Sequence, residues 1–266
     1  MTADASDTAA RHVDARRTDA LADGTGVLAG RTGLAVLVDP GRTGTEAAKA
    51  MAREAAEEGA AILLLGNSFG NDAGAGAVAR AMREGARGAL PVVQFPGTAA
   101  QLIPDVDAVL LLSLVSGRNP QYLIDEHVRA VPFLDRHPRI EVISTAYCLI
   151  DGGRITSVEA VSQTRPLPAD KPEIVSAHVR AAMHIGMHAT YLDAGSGART
   201  PVSPALVHAA RAAARGPLFV GGGLREVEAV RRAREAGADF VVVGTMLERE
   251  SDPSRDVGAF AAAARA

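Results

Sequence analysis

The stretch 188-HATYLDAGSGARTPVSPALVHAARAAARGPLFVGGG-223 contains one complete repeat of the pattern that decides the fold. It starts with a short apolar run at 188–192, crosses a glycine-rich loop to an amphipathic stretch at 203–216, and reaches a second apolar run at 217–220. Apolar runs of this length are typical of strands buried on both faces, as in parallel sheets. The stretch therefore predicts a strand, a helix and a second, parallel strand.

The same alternation extends along the chain from residue 33. Eight apolar runs qualify as strands: 34–38, 61–65, 91–95, 107–113, 140–147, 188–192, 217–220 and 239–243. Helix-like stretches lie between most of them, at 45–59, 72–86, 172–186, 203–216 and 225–237, with a last one at 254–266. The connection at 96–106 is too short and too rich in proline for a full helix.

Eight successive strand–helix units predict an α/β protein with a (β/α)₈ TIM barrel, modified by an abbreviated third helix. A doubly wound open sheet is the alternative. It is less favoured because no GxGxxG fingerprint follows the first strand. Residues 31–266 would form the barrel domain. Residues 1–30 are polar and alanine-rich, so we expect a flexible N-terminal tail there.

The composition excludes several functional classes. The formal net charge is −3 and aromatic residues are only 3% of the 266, which argues against a nucleic-acid partner. A single cysteine, Cys148, lies in an apolar run, so we expect a buried side chain and no disulfide. No apolar run approaches the roughly 20 residues of a membrane-spanning helix. We expect a cytoplasmic protein.

Glycines follow the last three predicted strands, and this pattern predicts a phosphate site. A phosphate needs converging backbone N–H donors and a close approach of the main chain, which residues without a Cβ allow. In TIM barrels the loops after strands seven and eight are the recurrent phosphate site. The residues concerned here are Gly195, Ser196, Gly197, Gly221, Gly222, Gly223, Gly244 and Thr245. The simpler alternative is that these glycines only make tight turns.

Two carboxylates stand at predicted strand ends. Asp39 follows the first strand and is either a turn cap or a Mg²⁺ ligand, with the Ser68 hydroxyl as a second ligand. Asp193 adjoins the glycine loops, where it would repel a phosphate, so we expect it to face an acceptor hydroxyl as a general base or anchor. A structural turn cap is the alternative. Tyr147 and Tyr191 end two strands and are either site or core residues.

These motifs resemble the geranylgeranylglyceryl phosphate synthase family, whose bacterial branch includes the PcrB proteins. The most specific stretches are 191-YLDAGSGA-198, 220-VGGGLRE-226 and 236-AGADFVVVGT-245. The resemblance implies a modified TIM barrel that uses Mg²⁺ to join a prenyl diphosphate to a hydroxyl of a small phosphorylated acceptor, forming an ether. It implies a homo-oligomer, dimer or larger, and a lipid product compatible with transient contact with a membrane surface.

The resemblance also assigns roles to individual residues. Asp39 and Ser68 would hold the metal, and Asp193 would touch the acceptor hydroxyl with Tyr147 as a second catalytic residue. The acceptor would be held by Tyr191, Leu192, Asp193, Ala194, Gly195, Ser196, Gly197, Gly222, Gly223, Gly244 and Thr245.

Departures from the family pattern bear on the acceptor. Asp193 stands where the family usually has Glu, and 39-DPGR-42 replaces the usual DPDK. The shorter Asp193 favours 3-phosphoglycerate, with a farnesyl donor, as in phosphoglycolipid (moenomycin-type) antibiotic biosynthesis. The alternative is sn-glycerol 1-phosphate, as in ether-lipid synthesis. Two other classes stay open: a different phosphate-binding barrel enzyme, such as a sugar-phosphate isomerase or a thiamin-phosphate synthase relative, and a non-catalytic phosphometabolite-binding barrel.

Overall fold

The strands form a closed parallel barrel in sequence order. The structure is a computed structural model that describes residues 25–67, 74–244, 247 and 256–265. The first strand pairs with both the second and the eighth, which closes the sheet. The TIM barrel is thus confirmed and the open sheet is wrong. The strands are β1 Gly33–Val38, β2 Ile62–Leu65, β3 Val92–Gln94, β4 Ala108–Leu114, β5 Glu141–Leu149, β6 Ala189–Asp193, β7 Leu218–Gly221 and β8 Phe240–Val243.

Helices cover the outside of the barrel. Within the described residues they are α1 Thr45–Glu57, α2 Ala75–Ala86, α3 Glu126–Arg136, α4 Ser157–Ser162, α5 Pro172–His184, α6 Pro204–Ala213, α7 Val227–Glu235 and α8 Val257–Arg265. After β3 the chain makes only the 3₁₀ turn Ala99–Gln101, as the proline-interrupted sequence predicts. A π-helical turn, Gln121–Asp125, leads into α3. No helix among the described residues has the length and apolar character needed to cross a bilayer.

Two apolar layers hold the barrel together. Alanine-rich helices pack against the outward side chains of the strands, where Cys148 is fully buried and burial raises its thiol pKa to about 12. The interior is filled by aromatic rings: Phe219 stacks on Phe240 with centroids 4.7 Å apart, and Phe95 stacks on Tyr191 at 4.9 Å. This packing fixes the strands rigidly and leaves the loops at their carboxyl ends to carry the site.

The amino ends of the strands are closed by residues 25–30. Leu28 is 4% exposed and packs in the interior cluster, and the amide of Val27 donates to the Glu141 carboxylate at 2.6 Å. These six residues therefore belong to the barrel rather than to the predicted tail, because an apolar side chain anchors them. Residues 1–24 lie outside the described residues, so a flexible tail stays a prediction for them.

Candidate active site

The predicted site residues lie at one end of the barrel, with two small corrections to strand ends. β5 continues two residues past Tyr147, which therefore lies inside the strand. β6 includes Asp193 as its last residue, so Tyr191 does not end it. Asp39 follows β1 directly, as predicted. Ser68 and Thr245 lie outside the described residues, and their assignments stay predictions.

Asp193 is buried and held by two hydrogen bonds. It is 8% exposed; Tyr147 donates its hydroxyl to Oδ2 at 2.5 Å, and the amide of Gly195 donates to Oδ1 at 2.7 Å. Burial raises the pKa of the Asp193 carboxyl above its ordinary value, and the two donated bonds oppose part of that rise. Asp193 thus caps the loop that follows β6. A carboxylate with a raised pKa is also a better proton acceptor.

The two tyrosines differ in what their hydroxyls do. Burial and the neighbouring Asp193 raise the pKa of Tyr147 well above its ordinary value, so Tyr147 stays protonated and donates. Burial, followed by Asp193, also raises the pKa of Tyr191. Tyr191 lies between Phe95 and Phe219 in the interior stack, so most of its side chain is core. Tyr147 is the tyrosine that reaches the carboxylate.

The residues next to Tyr191 and Asp193 alternate in direction along β6. Leu192 and Ala194 are fully buried in the outer layer, between the barrel and its helices. Successive side chains of a strand point to opposite faces, so only the main chain of these two residues can face the site. Their predicted role in acceptor binding is restricted to backbone groups.

The glycines after β6 and β7 adopt conformations that disfavour other residues. Gly195, Gly197, Gly222 and Gly223 have φ of +84°, +74°, +82° and +70°. A Cβ on Gly222 would lie 2.5 Å from both Asp193 Oδ1 and the amide nitrogen of Gly195. The two loops therefore meet through bare main chain, which is the close approach that a phosphate cradle requires.

The hydrogen bonds show which amides are available to an anion. The amide of Gly195 is already used by Asp193, contrary to the prediction that it could add a donor for phosphate. Those of Gly222 and Gly223 donate to no other residue in the described part of the chain. Gly244 packs closely against Leu37 of β1. The amides of Gly222 and Gly223 are thus available as donors for the predicted phosphate site.

Arginines reinforce the loop after β6. Arg225 donates to the carbonyls of Gly197 at 3.3 Å and Ala198 at 3.0 Å, and Arg154 lies 3.4 Å from the same Gly197 oxygen. They neutralise carbonyl dipoles and add positive charge beside the glycine loops. Neither arginine stands out in the sequence as a site residue, because only the folded loop brings together residues that lie so far apart along the chain.

On the opposite side of the barrel mouth, Asp39 is held by neighbouring loops. Its Oδ1 accepts from the amide of Gly41 at 2.9 Å and from Nδ2 of Asn67 at 3.1 Å. No group of three or more His, Cys, Asp or Glu that could hold a metal occurs among the described residues. A single carboxylate fits a Mg²⁺ ion that takes its remaining ligands from a diphosphate and water, so the donor chemistry agrees with the predicted metal role.

An apolar groove runs between these two halves. It encloses about 540 Å³, including space open to solvent, and is formed by the ends of β2 to β5, the π-helical turn, the start of α3, and α4. Its lining residues are Asn67, Phe95, Pro96, Gly97, Leu112, Leu114, Tyr122, Glu126, Tyr147, Val158, Val161 and Ser162. Tyr147, which donates to Asp193, belongs to this lining, so an apolar chain in the groove would lie one side chain away from the carboxylate.

Comparisons with known proteins agree with this arrangement. A geranylgeranylglyceryl phosphate synthase from Spirosoma linguale is 39% identical over 225 residues, covering 85% of this chain and 89% of that protein. The crystal structure of (S)-3-O-geranylgeranylglyceryl phosphate synthase from Thermoplasma acidophilum with its substrate sn-glycerol-1-phosphate has a TM-score of 0.82 at 27% identity, covering 91% of this chain and 97% of the other.

A barrel from another class is more distant. Thiamine phosphate pyrophosphorylase from Pyrococcus furiosus reaches a TM-score of 0.54 at 14% identity, covering 87% of this chain and 95% of the other, which shows a shared fold alone. These comparisons give no support to 3-phosphoglycerate and favour the alternative acceptor that the sequence left open. The protein-family model described as the PcrB family matches residues 31–264, and the chain therefore belongs to the PcrB family.

Proposed function

We propose that this chain is a prenyltransferase that joins a prenyl diphosphate to the hydroxyl of a small phosphorylated acceptor, with sn-glycerol 1-phosphate as that acceptor. One observation carries the proposal. The Tyr147–Asp193 hydrogen bond joins the apolar groove, which Tyr147 lines, to the two glycine loops, which Asp193 adjoins. The relatives named geranylgeranylglyceryl phosphate synthase support it.

The acceptor half holds the phosphate. The amides of Gly222 and Gly223 would donate to the phosphate oxygens, with Gly197 and Gly244 around them, and Thr245 stays a predicted further contact. Asp193 adjoins these loops so closely that a Cβ on Gly222 would collide with its Oδ1 atom. Its two oxygens accept from Tyr147 and Gly195. A hydroxyl bonded a few atoms from the phosphate would reach Asp193 while the phosphate stays on the amides. Holding both partners in this way lowers the entropic cost of the reaction.

The reaction exchanges one C–O bond for another. The acceptor oxygen attacks the first carbon of the prenyl chain, and the diphosphate leaves with the electron pair of the broken bond. Asp193 takes the proton of the hydroxyl, and its raised pKa suits that task. Tyr147 holds the carboxylate in place by its hydrogen bond and lines the groove beside the reacting carbon.

The donor half binds the prenyl diphosphate. The apolar groove would take the hydrocarbon chain, because burying each CH₂ contributes about 0.8 kcal/mol. Asp39 and Ser68 would bind Mg²⁺, and that ion would neutralise the diphosphate as a leaving group. Asp39 stands at the end of β1, near Asn67 at the mouth of the groove, where the diphosphate would lie.

An assay of substrate pairs tests the proposal. Farnesyl and geranylgeranyl diphosphates are each combined with sn-glycerol 1-phosphate or 3-phosphoglycerate, with and without Mg²⁺, and the ether product is measured. We expect turnover with sn-glycerol 1-phosphate that requires Mg²⁺. Turnover with 3-phosphoglycerate but not with sn-glycerol 1-phosphate would refute the proposed acceptor. The assay includes 3-phosphoglycerate because the Asp193 side chain is shorter than the usual Glu. Binding of the acceptor without turnover for any pair would indicate a non-catalytic barrel.

A further inference from the structure

We infer that Gln101 is a positioning residue for the metal and diphosphate half of the site, acting on Asp39 through the side chain of Asn67. The inference rests on the proposed function, since it concerns the carboxylate that would hold Mg²⁺. The three residues follow β3, β1 and β2, so they tie together three neighbouring loops. Nothing in the sequence pattern points to Gln101 or Asn67 as site residues.

Hydrogen bonds fix the direction of this relay, by which we mean the series of side chains Gln101, Asn67 and Asp39. The Oε1 atom of Gln101 accepts from the amides of Gly97 at 2.6 Å and Thr98 at 3.1 Å, so the carboxamide cannot flip without losing both. Its Nε2 must therefore point away and donates to Oδ1 of Asn67 at 2.9 Å. That in turn directs Nδ2 of Asn67 towards Oδ1 of Asp39, at 3.1 Å.

Gln101, at the start of the relay, is held rigidly. Gln101 is 8% exposed and closes the 3₁₀ turn that replaces the third helix. Gln94, itself 2% exposed, donates to the carbonyl of Gln101 at 2.6 Å and accepts from the amide of Ile103 at 3.2 Å. A full helix after β3 would require a different path here. The abbreviated connection therefore serves to place one amide donor at the end of β2.

At the end of the relay, the hydrogen bond from Asn67 helps to fix the orientation of the Asp39 carboxylate. The bonds from Gly41 and Asn67 are both donated to Oδ1 of the carboxylate, so Oδ1 must act as an acceptor. Rotation of the carboxylate would break both bonds. Asn67 also lines the groove, which places this fixed carboxylate at the groove mouth. The relay thus orients Asp39 towards the position that a diphosphate and its cation would occupy.

A conservative variant isolates the relay. In Gln101→Glu the carboxylate still accepts from Gly97 and Thr98, because Gln and Glu serve equally at this position of a capping box. It cannot donate to Asn67. The matched control is Gln163→Glu, which makes the same chemical change at the exposed residue after α4, whose side chain takes part in no hydrogen bond among the described residues.

The measurement is calorimetric binding of inorganic diphosphate, with Mg²⁺ or with chelator, and separately of sn-glycerol 1-phosphate. Binding by the wild type tests the proposed function, whereas differences among variants test the relay. We expect Gln101→Glu to weaken Mg²⁺-dependent diphosphate binding about tenfold, the effect of one hydrogen bond to a charged group. Glycerol phosphate affinity should stay unchanged, and Gln163→Glu should behave as wild type.

A double-mutant cycle distinguishes positioning from a general structural effect. If Gln101 acts through Asn67, then Gln101→Glu has no further effect in an Asn67→Ala background. Additive losses would overturn the inference, and so would wild-type binding in Gln101→Glu. An equal loss in Gln163→Glu, or a parallel loss of glycerol phosphate affinity, would also overturn it. A wild type without Mg²⁺-dependent diphosphate binding would refute the metal assignment itself.

Discussion

Replacing Tyr147 by Phe should shift the acid side of the pH–rate profile to higher pH. The Tyr147 hydroxyl donates at 2.5 Å to Asp193, and this bond lowers the Asp193 pKa against the larger effect of burial, which raises it. The substitution removes the bond and keeps the burial. The Asp193 pKa should therefore rise further. Because Asp193 works as a base only when ionised, activity will be lost at a higher pH than in the wild type.

The size of the shift follows from the bond that is lost. A hydrogen bond to a charged group contributes about 1.5–3 kcal/mol, and about 1.4 kcal/mol corresponds to one pKa unit. The acid limb should thus move up by about one to two pH units. The amide of Gly195 still holds the other carboxylate oxygen at 2.7 Å, so the carboxylate stays in position and activity at alkaline pH is retained in part.

The assay is kcat/KM for the acceptor across the acid and neutral range, since this parameter follows the ionisation of the free enzyme. Tyr191→Phe is the matched control. Its hydroxyl makes no hydrogen bond to Asp193 among the described contacts, although Asp193 lies close enough to raise the pKa of Tyr191. The control should shift the limb much less. An unchanged limb in Tyr147→Phe, or one at lower pH, would refute Asp193 as the titrating base.

Three further predictions concern other parts of the site. Asp39→Ala should abolish Mg²⁺-dependent turnover while calorimetry shows unchanged glycerol phosphate binding; unchanged turnover would exclude Asp39 as the metal ligand. Gly222→Ala should lower the melting temperature and the acceptor affinity more than Gly88→Ala does. Both glycines have positive φ, so either alanine costs about 1–2 kcal/mol, but only at Gly222 is the Cβ position crowded by Asp193. Leu112→Trp should fill the groove and favour shorter prenyl diphosphates in a competition assay; an unchanged preference would place the prenyl chain elsewhere.

Strand order and strand ends could be predicted because parallel barrels impose a simple rule on the sequence. Strands buried on both faces are continuous apolar runs, and the residues that follow them gather at one end. Asp39, Asp193 and the glycines after β7 were located by this rule. The rule needs only the approximate end of each strand, so it still holds when the predicted bounds are wrong by one or two residues.

Side-chain partners could not be predicted, because they depend on how the loops pack. The amide of Gly195 could have faced a phosphate or Asp193, and only the fold shows the second. The bond from Gln101 to Asn67 joins residues 34 positions apart, in loops without a regular pattern. The groove draws its lining from two strands, the loops after two others, one helical turn and two helices, so no single segment carries its signature. Leu28 falls in the predicted tail because two adjacent apolar residues, Val27 and Leu28, give no periodic signal in a polar stretch.

The position of Tyr147 suggests how the two halves act together. Its hydroxyl proton is committed to Asp193, so the oxygen can offer only lone pairs to anything in the groove, and the ring itself lines that groove. A positive charge developing on an allylic carbon there would be favoured both by the oxygen dipole and by the face of an aromatic ring. The same bond holds the base beside the attacking hydroxyl. Under the proposed function, a single side chain would thus stabilise the leaving of the diphosphate and orient the group that takes the proton. The acid-limb shift and a fall in maximal rate should therefore accompany each other in Tyr147→Phe.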